Sequence, residues 1–483
     1  MSIQRLIGLA LLTTLAIVLG LGVTPTLATP NSVTPTWGNA DNYTNAYFGS
    51  SVRPAGDVNK DGYDDVIIGA SGYNSSLGRA FIFYGSAQGP SRRPNWVTTG
   101  SQTGELFGIS VNTAGDVNKD GFDDVMVGSR DYDGGMGKSQ GRATLYLGSA
   151  NGPSTTPDWE TVGASNTNNH GISVGYAGDL DKDGYPDVAV GGNSHTIDLT
   201  WQGVVQVYKG QKNLDTTPTL TLKGTSTYSR FGYSTAPAGD FNNDGVDDLI
   251  VGAYQGGYPN PLGNAFVFFG QAGGMDETAD WTATGDQADA RFGIRVNTAG
   301  DFNNDNIDDV IVSASWYDVT TARATIEKAG RIDVFFGSAG TPDNTPDWTY
   351  YGDQTNQGLG YTIGTLGDVN GDGIDDIYVG ASGYDQDANT ENIGVMYIFY
   401  GTDGVPDATP DLTLDGFQAG EGYGSDAAMV GDINGDGYND LLVSASRYDG
   451  TFVDEGRVFL FPGKEGGLET TPTWSTSPGE WGL

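Results

Sequence analysis

An all-β propeller of seven four-stranded antiparallel blades is the fold this sequence predicts. Three observations predict it. The segment Gly-Asp-x-[Asn/Asp]-x-Asp-[Gly/Asn]-x-x-Asp occurs seven times along 483 residues. Each copy is followed in fixed register by the same succession of short apolar runs. The chain also holds 76 glycines, 25 tyrosines and nine tryptophans, a composition of short strands and tight turns rather than helices.

The repeat justifies each element in turn. Its first aspartates are Asp57, Asp116, Asp179, Asp240, Asp301, Asp368 and Asp432, spaced 59 to 67 residues apart. Nine residues before each stands Phe48, Phe107, His170, Phe231, Phe292, Leu359 or Tyr423, always followed by glycine. An apolar triplet such as Val66-Ile67-Ile68 and a small pair such as Gly69-Ala70 come after each loop. A second apolar run then ends in glycine, as from Gly78 to Gly85. A segment around Trp96, Trp159, Leu220, Trp281, Trp348, Leu412 or Trp474 completes the unit. Four strands per unit make one sheet that cannot cover both of its own faces, so neighbouring units must cover them. Seven such sheets arranged radially make a propeller. An open row of β-modules fits less well, because the strands and linkers are too short for independent sandwiches.

The ends divide the chain further. Met1–Arg5 is a short basic region, residues 6–22 are apolar, and small residues follow to Ala28, which reads as a signal peptide over residues 1–28. Residues 29–45 hold an N-terminal strand segment, 46–476 the repeats and 477–483 a C-terminal tail. Trp37 precedes Phe48 by the spacing that separates Trp96 from Phe107, so two segments compete for the outer strand of the seventh blade. The N-terminal copy is expected to take that edge and close the ring.

A formal charge of −38 disfavours nucleic acid and anionic membranes as partners and attracts cations. With the leader removed, no segment remains to insert into a bilayer, and a secreted monomer, extracellular or periplasmic, is expected. The absence of cysteine excludes disulfides and thiolate sites.

The acids gather in the seven loops. Position 1 is the aspartate already named. Position 3 is Asn59, Asn118, Asp181, Asn242, Asn303, Asn370 or Asn434, and position 5 is Asp61, Asp120, Asp183, Asp244, Asp305, Asp372 or Asp436. Position 9 is Asp65, Asp124, Asp187, Asp248, Asp309, Asp376 or Asp440. Tyr63, Phe122, Tyr185, Val246, Ile307, Ile374 and Tyr438 stand at position 7, where a backbone carbonyl is offered. Oxygens at these positions around a glycine turn suit a hard cation with six to eight oxygen ligands, and calcium, about seven ions, is the expected cofactor. Magnesium fits less well, since it demands near-octahedral geometry and keeps several waters. Metal-free Asx turns explain turn residues but not four oxygen positions held seven times over. The position-8 aspartates Asp64, Asp123, Asp247, Asp308 and Asp375 are expected to be solvated.

Phe-Gly, the aspartate loop and Gly-Ala in fixed register resemble the FG-GAP repeat of integrin α-subunits, over about residues 33–476. The resemblance implies that each loop joins strands 1 and 2 on one face, with the 2–3 hairpins on the opposite, ligand-binding face. Departures are His170 for phenylalanine, Gly191-Gly192-Asn193 without alanine, and no proline after Gly-Ala. The 2–3 hairpins carry Tyr73, Tyr132, His195, Tyr254, Tyr317, Tyr384 and Tyr448. Such aromatics offer a surface for a glycan or peptide, and packing between blades is the simpler reading. The tryptophans and Phe-Gly pairs read as packing.

Catalytic signals are sparse. Only two histidines exist, and no nucleophile or zinc motif is present. A non-catalytic module that binds an extracellular protein or glycan is therefore expected. The alternative is a carbohydrate- or lipid-active hydrolase or lyase, hinted at by Arg323, Glu327 and Lys328 in an insertion over residues 319–329.

Overall fold

The computed structural model describes residues 43–136, 139–164, 167–256, 261–386 and 391–481. The signal peptide and Trp37 lie outside these residues. Seven four-stranded antiparallel sheets follow one another along the chain, each in the spatial order 1-2-3-4. The first blade comprises Phe48–Gly56, Asp65–Ala70, Arg79–Phe83 and Trp96–Thr99. Two small hairpins, around Val319–Ile326 and Gly463–Leu468, are the other sheets among the described residues.

The second strand of a blade is buried along its whole length, as in Asp65–Ala70, Asp187–Gly192 and Asp376–Ala381. Its apolar run does not alternate because neighbouring blades cover both faces. The core is accordingly divided into seven clusters, each shared by two consecutive blades. One joins Ile67, Ile82 and Trp96 of blade 1 to Phe107, Val125 and Tyr146 of blade 2.

The small residues after the apolar triplet permit this stacking. A Cβ on Gly69 would collide with the carbonyl of Gly108 in the next blade. The backbones meet there, at the Phe-Gly step, without side chains between them. His170 fits the same place, fully buried, with its Nε2 2.8 Å from Thr161 Oγ1.

The outer-strand tryptophans are clamps between blades. The indole N–H of Trp96 donates to Ser154 O at 3.0 Å, that of Trp159 to Asp215 O at 2.9 Å, and that of Trp281 to Asp343 O at 2.8 Å. The same rings lie edge-on to Tyr146, Tyr208 and Phe335 of the following blade, with centroids 4.9 to 5.0 Å apart.

Ring closure departs from the expectation. The outer strand of blade 7 is Trp474–Thr476, paired with Arg457–Phe461. The N-terminal copy, around Trp37, lies outside the described residues. A short hairpin, Gly463–Lys464 with Gly467–Leu468, brings the C-terminal copy back, and a short loop costs less closure entropy than one spanning the ring. Blades 7 and 1 are held by Phe48 N–H donating to Glu455 O at 3.0 Å and by Arg53 paired with Asp426 at 2.8 Å. The residues after the last strand dock onto the seam. Trp481 is buried among Tyr43, Phe48, Phe81 and Phe83, with centroids 5.2 to 6.1 Å away.

Trp481→Ala is expected to cost about 3–5 kcal/mol, the range for emptying a buried tryptophan site. Urea unfolding measures it, and a loss under about 1 kcal/mol would remove Trp481 from the closure of the ring.

Candidate metal centres and the contact between blades

Each aspartate loop is built by its own backbone N–H groups. In the first, Asp57 accepts from the N–H groups of Asp61 at 3.0 Å and Gly62 at 2.9 Å. Asp61 Oδ1 accepts from Tyr63 N–H at 3.1 Å. The pattern recurs with Asp116, Asp179, Asp240, Asp301, Asp368 and Asp432. The fifth loop keeps it with Asn306 at φ 66 in place of glycine.

The position-9 carboxylates anchor the loops to the sheets. Asp65 Oδ1 accepts from Gly85 N–H, at the end of strand 3, at 2.9 Å, and its Oδ2 from Val58 N–H at 3.1 Å. The bond to the strand-3 glycine recurs in every blade, through Gly148, Gly210, Gly270, Gly337, Gly401 and Gly463. Burial pushes these carboxyls up, to about 8 for Asp65, Asp124, Asp248, Asp309 and Asp376 and about 7 for Asp187 and Asp440. Neighbouring loop carboxylates push the same way, against the pull of the backbone N–H groups.

The donor set fits a hard cation. It consists of oxygen throughout. Buried side-chain oxygens also stand without a hydrogen-bond partner: Oδ1 of Asn59, Asn242 and Asn303, all at position 3, and Oδ2 of Asp248 at position 9. An orphaned buried acceptor is costly unless something positive meets it. In the third loop, carboxylate oxygens of Asp179, Asp181 and Asp187 lie within 4.8 Å of one another. Among the described residues this is the one loop in which three of the carboxylates expected at positions 1, 3, 5 and 9 come so close.

The third loop differs. Lys209 Nζ pairs with Asp181 at position 3 and with Asp183 Oδ2 at position 5, the latter at 2.9 Å. Hydrogen bonds from these two carboxylates push the lysine up. At the corresponding place before the strand-3 glycine the other blades carry Tyr84, Leu147, Phe269, Phe336, Tyr400 and Pro462. An ammonium between two ligand carboxylates competes with any divalent cation there. Comparing the repeats at this one register would have exposed it.

The position-8 aspartates are not solvated. Asp123 Oδ2 accepts from Asp57 N–H of the preceding blade at 2.9 Å. Asp247, Asp308 and Asp375 accept likewise from Asp179, Asp240 and Asp301 at 2.8 to 3.0 Å. Asp64 accepts from Asp432 N–H at 3.0 Å and so repeats the contact across the seam between blades 7 and 1. Side chains alternate across a strand, so when position 9 points into its own blade, position 8 points to the neighbour. The glycine before position 1 makes room. Gly300 has φ 68, and a Cβ on it would strike Asp375. In the two remaining interfaces Pro186 packs near Gly115, and Asn439 Nδ2 donates to Leu366 O at 3.2 Å.

The hairpin aromatics are set among arginines. Tyr73 is buried with the Arg79 guanidinium 3.8 Å from its ring centre. Arg142, Arg331 and Arg457 cover Tyr132, Tyr317 and Tyr448 at 4.2, 4.6 and 4.8 Å. Tyr384 meets Tyr397 at 6.4 Å, and Tyr254 meets Tyr233 at 4.9 Å. His195 is half-buried, and burial pushes it down.

Comparisons with known proteins agree with this geometry. The FG-GAP repeat matches residues 48–83, 359–396 and 424–461, and the FG-GAP-like repeat residues 116–190 and 179–251. Integrin alpha-5 of Xenopus laevis is 31% identical over 247 residues, 50% of this chain and 22% of that protein. Integrin alpha-6 of Homo sapiens is 36% identical over 155 residues, 32% of this chain and 13% of that protein. Phosphatidylinositol-glycan-specific phospholipase D of Bos taurus is 26% identical over 396 residues, 73% of this chain and 45% of that protein. The chain therefore spans less than half the length of each of these relatives.

Asp308→Ala leaves the Asp240 N–H without its acceptor and is expected to cost about 1–3 kcal/mol in chemical denaturation. Gly300→Ala is expected to cost more, since it adds a steric collision to an unfavourable φ. A neutral Asp308→Ala would show that the position-8 contacts do not hold the blades together.

Proposed function

Because the chain belongs to the FG-GAP repeat proteins, we propose that it is a secreted, calcium-bearing, non-catalytic module that binds an extracellular protein or glycan. The observation that carries the calcium reading is the set of buried, unpartnered oxygens of Asn59, Asn242, Asp248 and Asn303 at the expected ligand positions of three loops. Bound calcium would supply the positive charge that seven clusters of carboxylates lack, with positions 1, 3, 5 and 9 and the position-7 carbonyl around it. The binding role is supported by the likeness to integrin α-subunits. Secretion is supported by the basic-then-apolar N-terminus. No helix among the described residues is long and apolar enough to cross a membrane.

The phospholipase relative favours a second reading, a lipid-active enzyme. Against it, His170 is enclosed in packing, and burial pushes it down to about 3. Hydrolysis of a glycosyl-phosphatidylinositol substrate by the purified chain would establish that reading in place of the first.

Calcium titration followed by elemental analysis tests the metal centres. Six sites are expected to fill readily and the third last, because its cation must displace Lys209. Lys209→Phe is expected to bring the third site level with the others. A total of two ions or fewer at millimolar calcium would end the calcium reading. Each filled site contributes about 1.4 kcal/mol at ten times its dissociation constant. Chelator is therefore expected to lower the melting temperature by about ten degrees or more.

A further inference from the structure

The basic residues of this acidic chain are unevenly placed. Lysine and arginine number 23 against 61 aspartates and glutamates. Arg53, Arg142, Arg331 and Arg457 each pair with a carboxylate. Arg230, Arg291 and Arg295 have no ion-pair partner among the described residues, and Arg130 reaches only its neighbour Asp131, at 3.5 Å.

These four arginines share one sector, where Arg230 donates to Ser194 Oγ and Gln255 Oε1 and Arg295 to Tyr361 O. Arg230 and Arg291 stand just before the Phe-Gly steps of blades 4 and 5, Arg295 lies on the inner strand of blade 5, and Arg130 follows the second strand of blade 2. Strands 1 and 2 are antiparallel and joined by the aspartate loop. The start of strand 1 and the end of strand 2 therefore lie together at the end of the ring opposite the loops. Aromatic rings connect the arginines. The Arg291 guanidinium is 3.2 Å from the Trp316 ring centre and 6.0 Å from that of Tyr254. Tyr254 is 4.9 Å from Tyr233, and Arg295 is 5.6 Å from Tyr233. The insertion after Val319 returns Lys328 to 4.6 Å above Trp316. Burial pushes the Tyr254 hydroxyl up, and Arg230, Arg291 and Arg130 act on it in the opposite direction.

Arg230 and Arg291 hold φ 60 and 63 just before the Phe-Gly step, a conformation that every blade shares at that place, with Tyr47 and Leu106 at 52 and 57. Arg130, Tyr233 and Arg295 also reach a cavity of about 430 Å³ that the inner strands of all seven blades line, with Asn112, Asn297 and the paired Arg53 and Asp426 in its wall.

We propose that this sector binds an acidic oligosaccharide. The guanidiniums of Arg230, Arg291 and Arg295, which have no carboxylate partner among the described residues, match carboxylate or sulfate groups, which relieve their mutual repulsion. The rings of Tyr233, Tyr254 and Trp316 present apolar edges and faces to sugar C–H groups. The amides and hydroxyls of the cavity match sugar hydroxyls. This assignment rests on the reading of the chain as a binding module.

Calorimetric titration of the full chain in calcium-containing buffer tests it. The probes are hexamers of glucuronic acid, sulfated glucose, neutral glucose and glutamic acid. Binding of one or both acidic sugars is expected, with the arm that binds identifying carboxylate or sulfate. The affinity is expected to fall with added salt, and by about tenfold or more in Arg291→Gln/Arg295→Gln. Arg92→Gln/Arg93→Gln, which removes the same charge from exposed positions elsewhere, is expected to leave it unchanged. Arg230→Gln alone replaces the first variant if that one does not fold. Equal losses in both pairs, glutamate hexamer binding as tightly as the acidic sugars, or no binding at millimolar sugar would overturn the proposal. Calcium uptake on the same samples separates the readings: intact uptake with no sugar bound overturns this site alone.

Discussion

The structure depends on seven carboxylates buried at the foot of the second strands. Each position-9 aspartate joins its loop to the end of strand 3 through the closing glycine N–H. A buried charge without a counter-charge is costly, and burial pushes each of these groups well above the usual carboxylate range. The loops therefore do two things at once. They tie the sheet together through hydrogen bonds, and they accumulate negative charge that calls for cations. Lys209 in the third blade shows one way of answering that call within the chain itself.

The position-8 aspartates extend the same constraint from blade to blade. A carboxylate of one blade receives the N–H of the first loop aspartate in the preceding blade, so the loops are coupled around the ring. In these five interfaces the glycine before the loop is required twice over, for its positive φ and for the space the neighbouring carboxylate occupies. On this end the ring is strongly acidic. At the other end, blades 4 and 5 present arginines without acidic partners among the described residues, beside tyrosine and tryptophan. The molecule thus has its aspartate loops at one end of the ring and this arginine sector at the other.

The seam between blades 7 and 1 uses contacts found throughout the ring and adds Trp481 against Phe48, Phe81 and Phe83. Closure by a C-terminal strand keeps the last blade local in sequence, and the terminal tryptophan then spans to the first blade.

The sequence by itself determined the number of blades, the four strands of each and the place of an aspartate loop between the first two. All of these are periodic, and periodicity is visible along one dimension. The buried second strands and the clamping tryptophans followed from the same register. Only the tertiary structure decided how one blade meets the next. Asp64, Asp123, Asp247, Asp308 and Asp375 read as solvated because their partners lie some 66 to 74 residues away, or 368 across the seam. The terminus that closes the ring was equally hidden, since both copies have the pattern of an outer strand and loop entropy chooses between them. The arginine sector was hidden for a like reason. Arg130, Arg230, Arg291 and Arg295 occupy different places in different repeats, and only radial packing brings them to one end of the ring.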